Sequence, residues 1–263
     1  MKVLVVGNGG REHAIAWKLA QSNDVECVVC VPGNGGTAFE DKCVNVDISQ
    51  TDYIKNKSDK NAAYVQIAKH EGCTLAVIGP ENPLAEGIAD AFWQAGIPVV
   101  GACHAAAQLE ASKDLAKDFM NKYGVACAKS RTFTDKDQAL AYVEEQGAPI
   151  VIKADGLAAG KGVVVAKTLD DAKNAVVELM ENHSVGDAGN KLVIEEYLTG
   201  DEISILAAVS VTPEFAAQGK AVIVPFQSAR DHKRLCDGAK GPNTGGMGAI
   251  SPVSDVTAEI LEQ

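Results

Sequence analysis

No apolar run in this 263-residue chain approaches the ~20 residues needed to cross a bilayer, so a membrane-spanning helix is excluded. Positive charge is also short: 24 Lys and Arg against 35 Asp and Glu leave a net charge of −11, which argues against nucleic acid and anionic membrane partners. Any anionic ligand must therefore be met by a local basic cluster. An even set of cysteines is missing as well. The seven present (Cys27, Cys30, Cys43, Cys73, Cys103, Cys127, Cys236) are scattered among apolar neighbours, which suits reduced core thiols better than a disulfide framework. Cys27 and Cys30 stand three apart in one extended run, on opposite faces, and so share no metal or redox site. With Met1-Lys2-Val3-Leu4 leading straight into a strand, the expectation is a cytosolic protein of about two domains.

Strand and helix alternate through the first hundred residues. Val3–Val6, Val25–Val31, Leu75–Ile78 and Ile97–Val100 are short apolar runs ending in Gly or Pro, as strands buried on both faces do. His13–Ala20, Ala62–Ala68 and Pro83–Ala95 read as helices between them. The pattern predicts a doubly wound α/β domain, whose ligands bind at the carboxyl ends of the strands. Those ends carry Gly7-Asn8-Gly9-Gly10-Arg11-Glu12, Pro32-Gly33-Asn34-Gly35-Gly36 and Gly79-Pro80-Glu81-Asn82-Pro83.

A dinucleotide fingerprint is absent in two places. Glu12 stands where a third small residue belongs, and Pro32-Gly33-Asn34 replaces the acidic residue that would hold a ribose. The glycine loops with Arg11 could still hold one phosphate at a helix N-terminus, or, at Gly33–Gly36 especially, simply make tight turns.

Beyond Gly101, helices Ala105–Glu110 and Asp114–Tyr123 flank Ser112, a helix N-cap beside Lys113. Strands Arg131–Phe133, Pro149–Lys153, Val163–Ala166 and Lys191–Glu195 then alternate with helices Lys136–Glu145 and Asp170–Glu181, with a turn at Gly186–Gly189. Lys153 closes a strand, and Gly156, Gly160 and Gly162 with Lys161 form a loop through which backbone N–H groups can approach phosphate oxygens. The spacing is not that of a P-loop, because Gly162 takes the place of Ser or Thr. A polyphosphate cradle that closes as a mobile lid and a plain glycine hairpin both fit this segment. Glu195, Glu196 and Glu202 could meet adenine and ribose hydroxyls, or could be a solvated acidic turn.

The succession Lys113, Lys153, Gly160-Lys161-Gly162, Glu195-Glu196-Tyr197-Leu198 and Glu202 resembles the ATP-grasp enzymes. Together with Gly7-Asn8-Gly9-Gly10-Arg11-Glu12-His13, Pro32-Gly33-Asn34, Gly79-Pro80-Glu81-Asn82-Pro83, Asp231-His232-Lys233-Arg234 and Gly241-Pro242-Asn243-Thr244-Gly245-Gly246-Met247-Gly248, it resembles the phosphoribosylamine glycine ligase family over essentially the whole chain. The resemblance implies a Rossmann-like domain over 1–103 and an incomplete ATP-grasp domain over 104–263, with a lid at about 126–192. It implies ligation of glycine to 5-phosphoribosylamine through glycyl phosphate, with ATP and Mg2+ or Mn2+, in a monomer without nucleic acid or membrane partners; another ATP-grasp carboxylate–amine ligase and a non-catalytic nucleotide-binding fragment are the alternatives.

Under the same resemblance, Lys113, Lys153, Gly156, Gly160, Lys161 and Gly162 contact ATP phosphates; Glu195, Glu196 and Leu198 meet the adenine, and Glu202 the ribose. Gly9, Gly10, Arg11, Glu12, Gly33, Asn34 and Glu81, and a loop of Pro242, Asn243, Thr244, Gly245 and Gly246, face the sugar phosphate amine. Asp231, Lys233 and Arg234 sit where glycine meets the transferred phosphoryl group. His232 could instead pack as a structural histidine. Family members continue into strands that hold magnesium, so no metal ligand is assigned here and the chain alone is expected to lack full catalysis.

Overall fold

The four apolar runs become parallel strands. A computed structural model describes residues 1–50, 60–157 and 162–261. In it, β1 (Lys2–Gly7), β2 (Cys27–Pro32), β3 (Cys43–Asn45), β4 (Leu75–Ile78) and β5 (Val99–Val100) pair in the order β3-β2-β1-β4-β5. Central β1 is buried on both faces. Leu4 and Val6 pack with Ile88 and Phe92, while Val3 and Val5 pack with Ala16, Val28 and Cys30. Helices α1 (Gly10–Ala20), α2 (Lys60–Glu71), α3 (Glu81–Ala85) and α4 (Ile88–Gln94) fill the connections. Val6 pairs with both Val31 and Ile78, so the carboxyl ends of β1, β2 and β4 lie abreast, and the strand order reverses between β1 and β4. That reversal is where a doubly wound sheet opens its crevice.

Sequence expectation and structure part company at several points. The helix read as Pro83–Ala95 is two helices, broken at Gly87, whose φ of 86° is left-handed. Strand β3 is an unforeseen three-residue edge with two exposed side chains, too short to show a period. Cys27 and Cys30 do contact opposite cores, but Cys103 and Cys236 are exposed rather than core thiols.

Helices α5 (His104–Ala111) and α6 (Lys113–Tyr123) follow; Ser112 Oγ caps α6 by accepting from the Leu115 N–H at 3.1 Å. Next, β6 (Ser130–Phe133), β7 (Ile150–Ala154), β8 (Val163–Ala166) and β9 (Leu192–Glu196) form an antiparallel sheet in the order β6-β9-β7-β8. Helices α7 (Lys136–Gln146) and α8 (Leu169–Met180) cover it, burying Phe133, Val143, Ile152, Val176, Leu192 and Ile194.

After β9 the chain spreads into two antiparallel pairs, β10 (Ala207–Ser210) with β11 (Val222–Pro225) around α9 (Pro213–Ala217), and β12 (Arg230–Cys236) with β13 (Lys240–Ile250), before α10 (Ala258–Leu261). Here Leu206, Val209, Ile223 and Val224 are all more than half exposed. The stretch from Pro242 to Gly246, expected as a loop, lies inside β13, where Asn243 pairs with Arg234 across a shifted register. Antiparallel pairing to β12 accommodates its glycines through that irregularity. Among the described residues, no helix is long and apolar enough to cross a membrane.

Candidate functional site

Helical periodicity places Lys113, Ala116, Lys117 and Met120 on one face of α6. That face turns toward the ends of β7 and β9 and encloses a cavity of about 410 Å3, which Glu81, Glu110, Lys153, Gly156, Leu157, Gly162, Val163 and Glu195 also line. Lys153 Nζ stands 2.8 Å from Glu195 Oε2 and Lys117 Nζ 3.4 Å from Oε1. The Glu195 side chain is only 7% exposed. Lys117 Nζ further donates to the Ala128 carbonyl at 2.8 Å, and Lys113 Nζ to the Gly156 carbonyl at 2.9 Å. Burial pushes the Lys113 ammonium below the usual lysine range against the opposing pull of Asp155. Gly156 has φ of 138°, which ordinary side chains rarely adopt, so glycine is required where the backbone bends beside the cavity.

The crevice of the parallel sheet is knit by two side chains. Asn34 Nδ2 donates to the Asn8 and Gly9 carbonyls at 3.1 and 3.4 Å, while its Oδ1 accepts from the Gly36 and Thr37 N–H groups at 2.8 and 3.0 Å. Glu12, 5% exposed, accepts from the Gly9 N–H at 2.7 Å and from Arg11 Nε at 2.8 Å. A Cβ on Gly7 or Gly79 would run into the Glu12 side chain, so both loops close around it. Arg11 reaches on to Glu81 at 3.6 Å. Glu81 therefore belongs to the crevice and to the cavity at once.

A third cluster, unforeseen from sequence, joins the start of α6 to the antiparallel sheet. The Asp155 carboxylate accepts from Ser112 Oγ at 3.2 Å and from the Asp114 N–H at 3.2 Å, and pairs with Lys191 Nζ at 3.0 Å. Asp114 accepts from Thr132 Oγ1 at 2.6 Å and from Lys191 at 3.0 Å. The Thr132 bond, with Lys191 behind it, holds the Asp114 carboxyl below the usual carboxylate range. Its hydrogen bonds to the Asp155 and Asp114 carboxylates raise Lys191 above the usual lysine value.

The structure thus gathers Lys113, Lys153, Gly156, Gly162 and Glu195, and adds Lys117, which the i, i+4 spacing from Lys113 signals in sequence. Gly160 and Lys161 lie outside the described residues. Glu81, predicted to face the sugar phosphate amine, lines the cavity as well, and the other predicted residues that are described stand apart from it. Glu196 Oε1 accepts from the Lys129 N–H, Leu198 is 62% exposed, and Glu202 pairs with Lys233 at 2.6 Å. Asp231 stands 3.6 Å from Lys233, Arg234 donates to the Gly241 carbonyl, and Thr244 Oγ1 to the Lys233 carbonyl. His232 is exposed on β12 and is not a packed structural histidine. Among the described residues no three His, Cys, Asp or Glu side chains converge on a point that could hold a metal, so none is assigned to one.

Compact ammonium groups beside a glycine turn, set between a helix and an antiparallel sheet that follows a parallel α/β domain, define an ATP-grasp protein. Comparison with known proteins agrees: residues 1–110 match the N domain of phosphoribosylglycinamide synthetase and residues 111–263 its ATP-grasp (A) domain. The chain belongs to the phosphoribosylglycinamide synthetase family. It is 48% identical over 260 residues to the phosphoribosylamine–glycine ligase of Vibrio vulnificus and 49% identical over 263 residues to that of Salmonella typhimurium, covering 99% and 100% of this chain. It spans 57% of the length of both relatives. The crystal structure of the Thermotoga maritima phosphoribosylamine–glycine ligase superposes with a TM-score of 0.71 at 29% identity, over 100% of this chain and 58% of that one. An ADP complex of Staphylococcus aureus N5-carboxyaminoimidazole synthetase, 16% identical over 88% of this chain and 54% of that one, shares the fold with a TM-score of 0.58.

Proposed function

We propose that this chain carries the nucleotide and amine sites of an ATP-dependent ligase that joins glycine to 5-phosphoribosylamine. The γ-phosphoryl group passes to a glycine carboxylate oxygen, giving ADP and glycyl phosphate; the amine nitrogen then attacks the acyl carbon and phosphate leaves. Such chemistry rests on positioning and charge neutralisation. Lys113 and Lys153 meet the ATP phosphates, with Gly156, Gly160, Lys161 and Gly162 folding beside them, and Glu195, Glu196, Leu198 and Glu202 serve the adenosine. Magnesium or manganese on the phosphates supplies further charge neutralisation. The loops bearing Gly9, Arg11, Gly33, Asn34 and Glu81 face the sugar phosphate amine, and Asp231, Lys233 and Arg234 the glycyl phosphate. The same reading divides the chain near residue 103, with a lid at about 126–192, and makes the protein a cytoplasmic monomer.

One observation carries this reading. Glu81 lines the lysine-rich cavity and is also bridged to Arg11 in the strand-end crevice, so a phosphoryl donor in the first and an amine in the second would be neighbours. A coupled ADP-release assay with glycine and freshly made phosphoribosylamine, run on this chain and on a longer form of it, tests the proposal. ADP release that requires both substrates in the longer form is expected. Release indifferent to either substrate would refute it.

A further inference from the structure

Residue 155 grips the start of α6 on both sides of Lys113. Its carboxylate accepts from Ser112 Oγ, just before Lys113, and from the Asp114 N–H, just after it. The next residue in the same turn, Gly156, offers its carbonyl to Lys113 Nζ. Two consecutive residues after β7 thus hold three consecutive residues at the beginning of α6, more than 40 positions away in sequence.

The arrangement amounts to a helix cap supplied from another element. Ser112 already serves Leu115, which leaves the Asp114 N–H free for an outside acceptor, and the positive end of the helix favours a carboxylate there. Only 7% of the Asp155 side chain is exposed, and Lys191, at 3.0 Å, supplies the charge that makes its burial tolerable. Two residues before Asp155, near the end of β7, stands Lys153. Fixing Asp155 to the α6 terminus therefore fixes the separation of the Lys113 and Lys153 ammonium groups across the cavity.

We propose that Asp155 is a positioning residue for nucleotide binding. It touches no phosphate itself, but sets Lys113 and Lys153 at a spacing suited to one polyphosphate. The proposal rests on the nucleotide-site reading above. A polyphosphate contact is lost when a cation is displaced by about an ångström, so the effect should be felt through the lysines rather than through general loosening.

The test is a double-mutant cycle on residues 113 and 155, read as ATP affinity by titration calorimetry in the presence of magnesium. Asp155→Asn keeps the side chain's shape but loses its charge and puts an amide where Lys191 and the Asp114 N–H want an acceptor. It should weaken ATP binding by roughly five- to tenfold in the wild-type background and by less than about twofold in the Lys113→Met background. Lys191→Gln, which removes the compensating ammonium from a part-exposed position, should show the same dependence on Lys113 and serves if Asp155→Asn does not fold. Equal losses in both backgrounds, or no loss in a folded variant, would overturn the positioning role while leaving the nucleotide site intact. A folded wild-type chain that binds no ATP would overturn both.

Discussion

Lys153 and Glu195 stand diagonally across β7 and β9, two residues out of direct register, and close a 2.8 Å ion pair in the wall of the cavity. Glu195 is shared with Lys117, so Lys153 holds only part of a carboxylate and keeps donors free for a ligand. On the proposed function, a polyphosphate would have to displace Glu195 from Lys153.

Lys153→Met should therefore weaken ATP binding. The substitution removes one ammonium and keeps the apolar stem. A charge-assisted contact of this kind is worth about 1.5–3 kcal/mol, so affinity should fall roughly tenfold or more. Titration of ATP into wild type and variant measures it, and equal affinity in two equally folded proteins would remove Lys153 from the site.

Glu12→Ala should destabilise the parallel-sheet domain by about 1–3 kcal/mol, because it strands the Gly9 N–H and leaves a void between the loops after β1 and β4. Urea denaturation followed by far-ultraviolet circular dichroism reads the change. A shift near zero would mean that the carboxylate is not the keystone of these loops.

Acid should selectively undo the Asp114 contacts. The folded-state value of this group lies below the ordinary aspartate value of 3.8, chiefly through Thr132. A depressed carboxylate contributes stability that is fully present above the unfolded value and is lost as pH falls through the folded one. Thr132→Val should cost about 1–2 kcal/mol at pH 7, and the gap to wild type should narrow once pH drops below 3.8. Denaturation curves at pH 7 and pH 3 decide it; a gap that stays constant would assign the loss to packing instead.

The architecture of the parallel domain was legible because each strand is a short apolar run punctuated by glycine or proline, a signal carried by neighbouring residues. Lys113, Lys153 and Glu195 were legible as members of an ordered set. What stayed hidden depends on distant partners. Nothing local marks Asp155, since its role exists only when Ser112, Asp114 and Lys191 are brought to it. Pro242–Gly246 read as a loop because five residues with two glycines and a proline carry no period, and only pairing with β12 makes them a strand. Gly87 was passed over inside a helical pattern because a single glycine is compatible with either a break or a continuation.

The β10–β11 hairpin exposes apolar side chains on both faces, Val209 opposite Ile223 on one and Leu206 with Val224 on the other, and this gives another prediction. Contiguous exposed apolar surface binds amphiphilic dyes and promotes association. Chain 1–263 should enhance 1-anilinonaphthalene-8-sulfonate fluorescence, and Ile223→Lys with Val209→Lys should reduce the signal while changing stability by no more than about 0.5 kcal/mol each. Large destabilisation by these two changes would show that the face is covered.

Asn34 is followed by Gly35, a dipeptide at which an asparagine amide ages readily into aspartate, because the unhindered glycine nitrogen can reach the side-chain carbonyl carbon. All the hydrogen-bonding capacity of that amide is spent, its two donors on the loop after β1 and its oxygen on Gly36 and Thr37 of its own loop after β2. Those four bonds restrain rotation of the side chain, and cyclisation onto the Gly35 nitrogen would have to break them. Should the conversion occur, a carboxylate would face the Asn8 and Gly9 carbonyls, acceptor against acceptor, and the crevice would be pushed open from within. The shelf life of the crevice is thus written into the bonds of one amide.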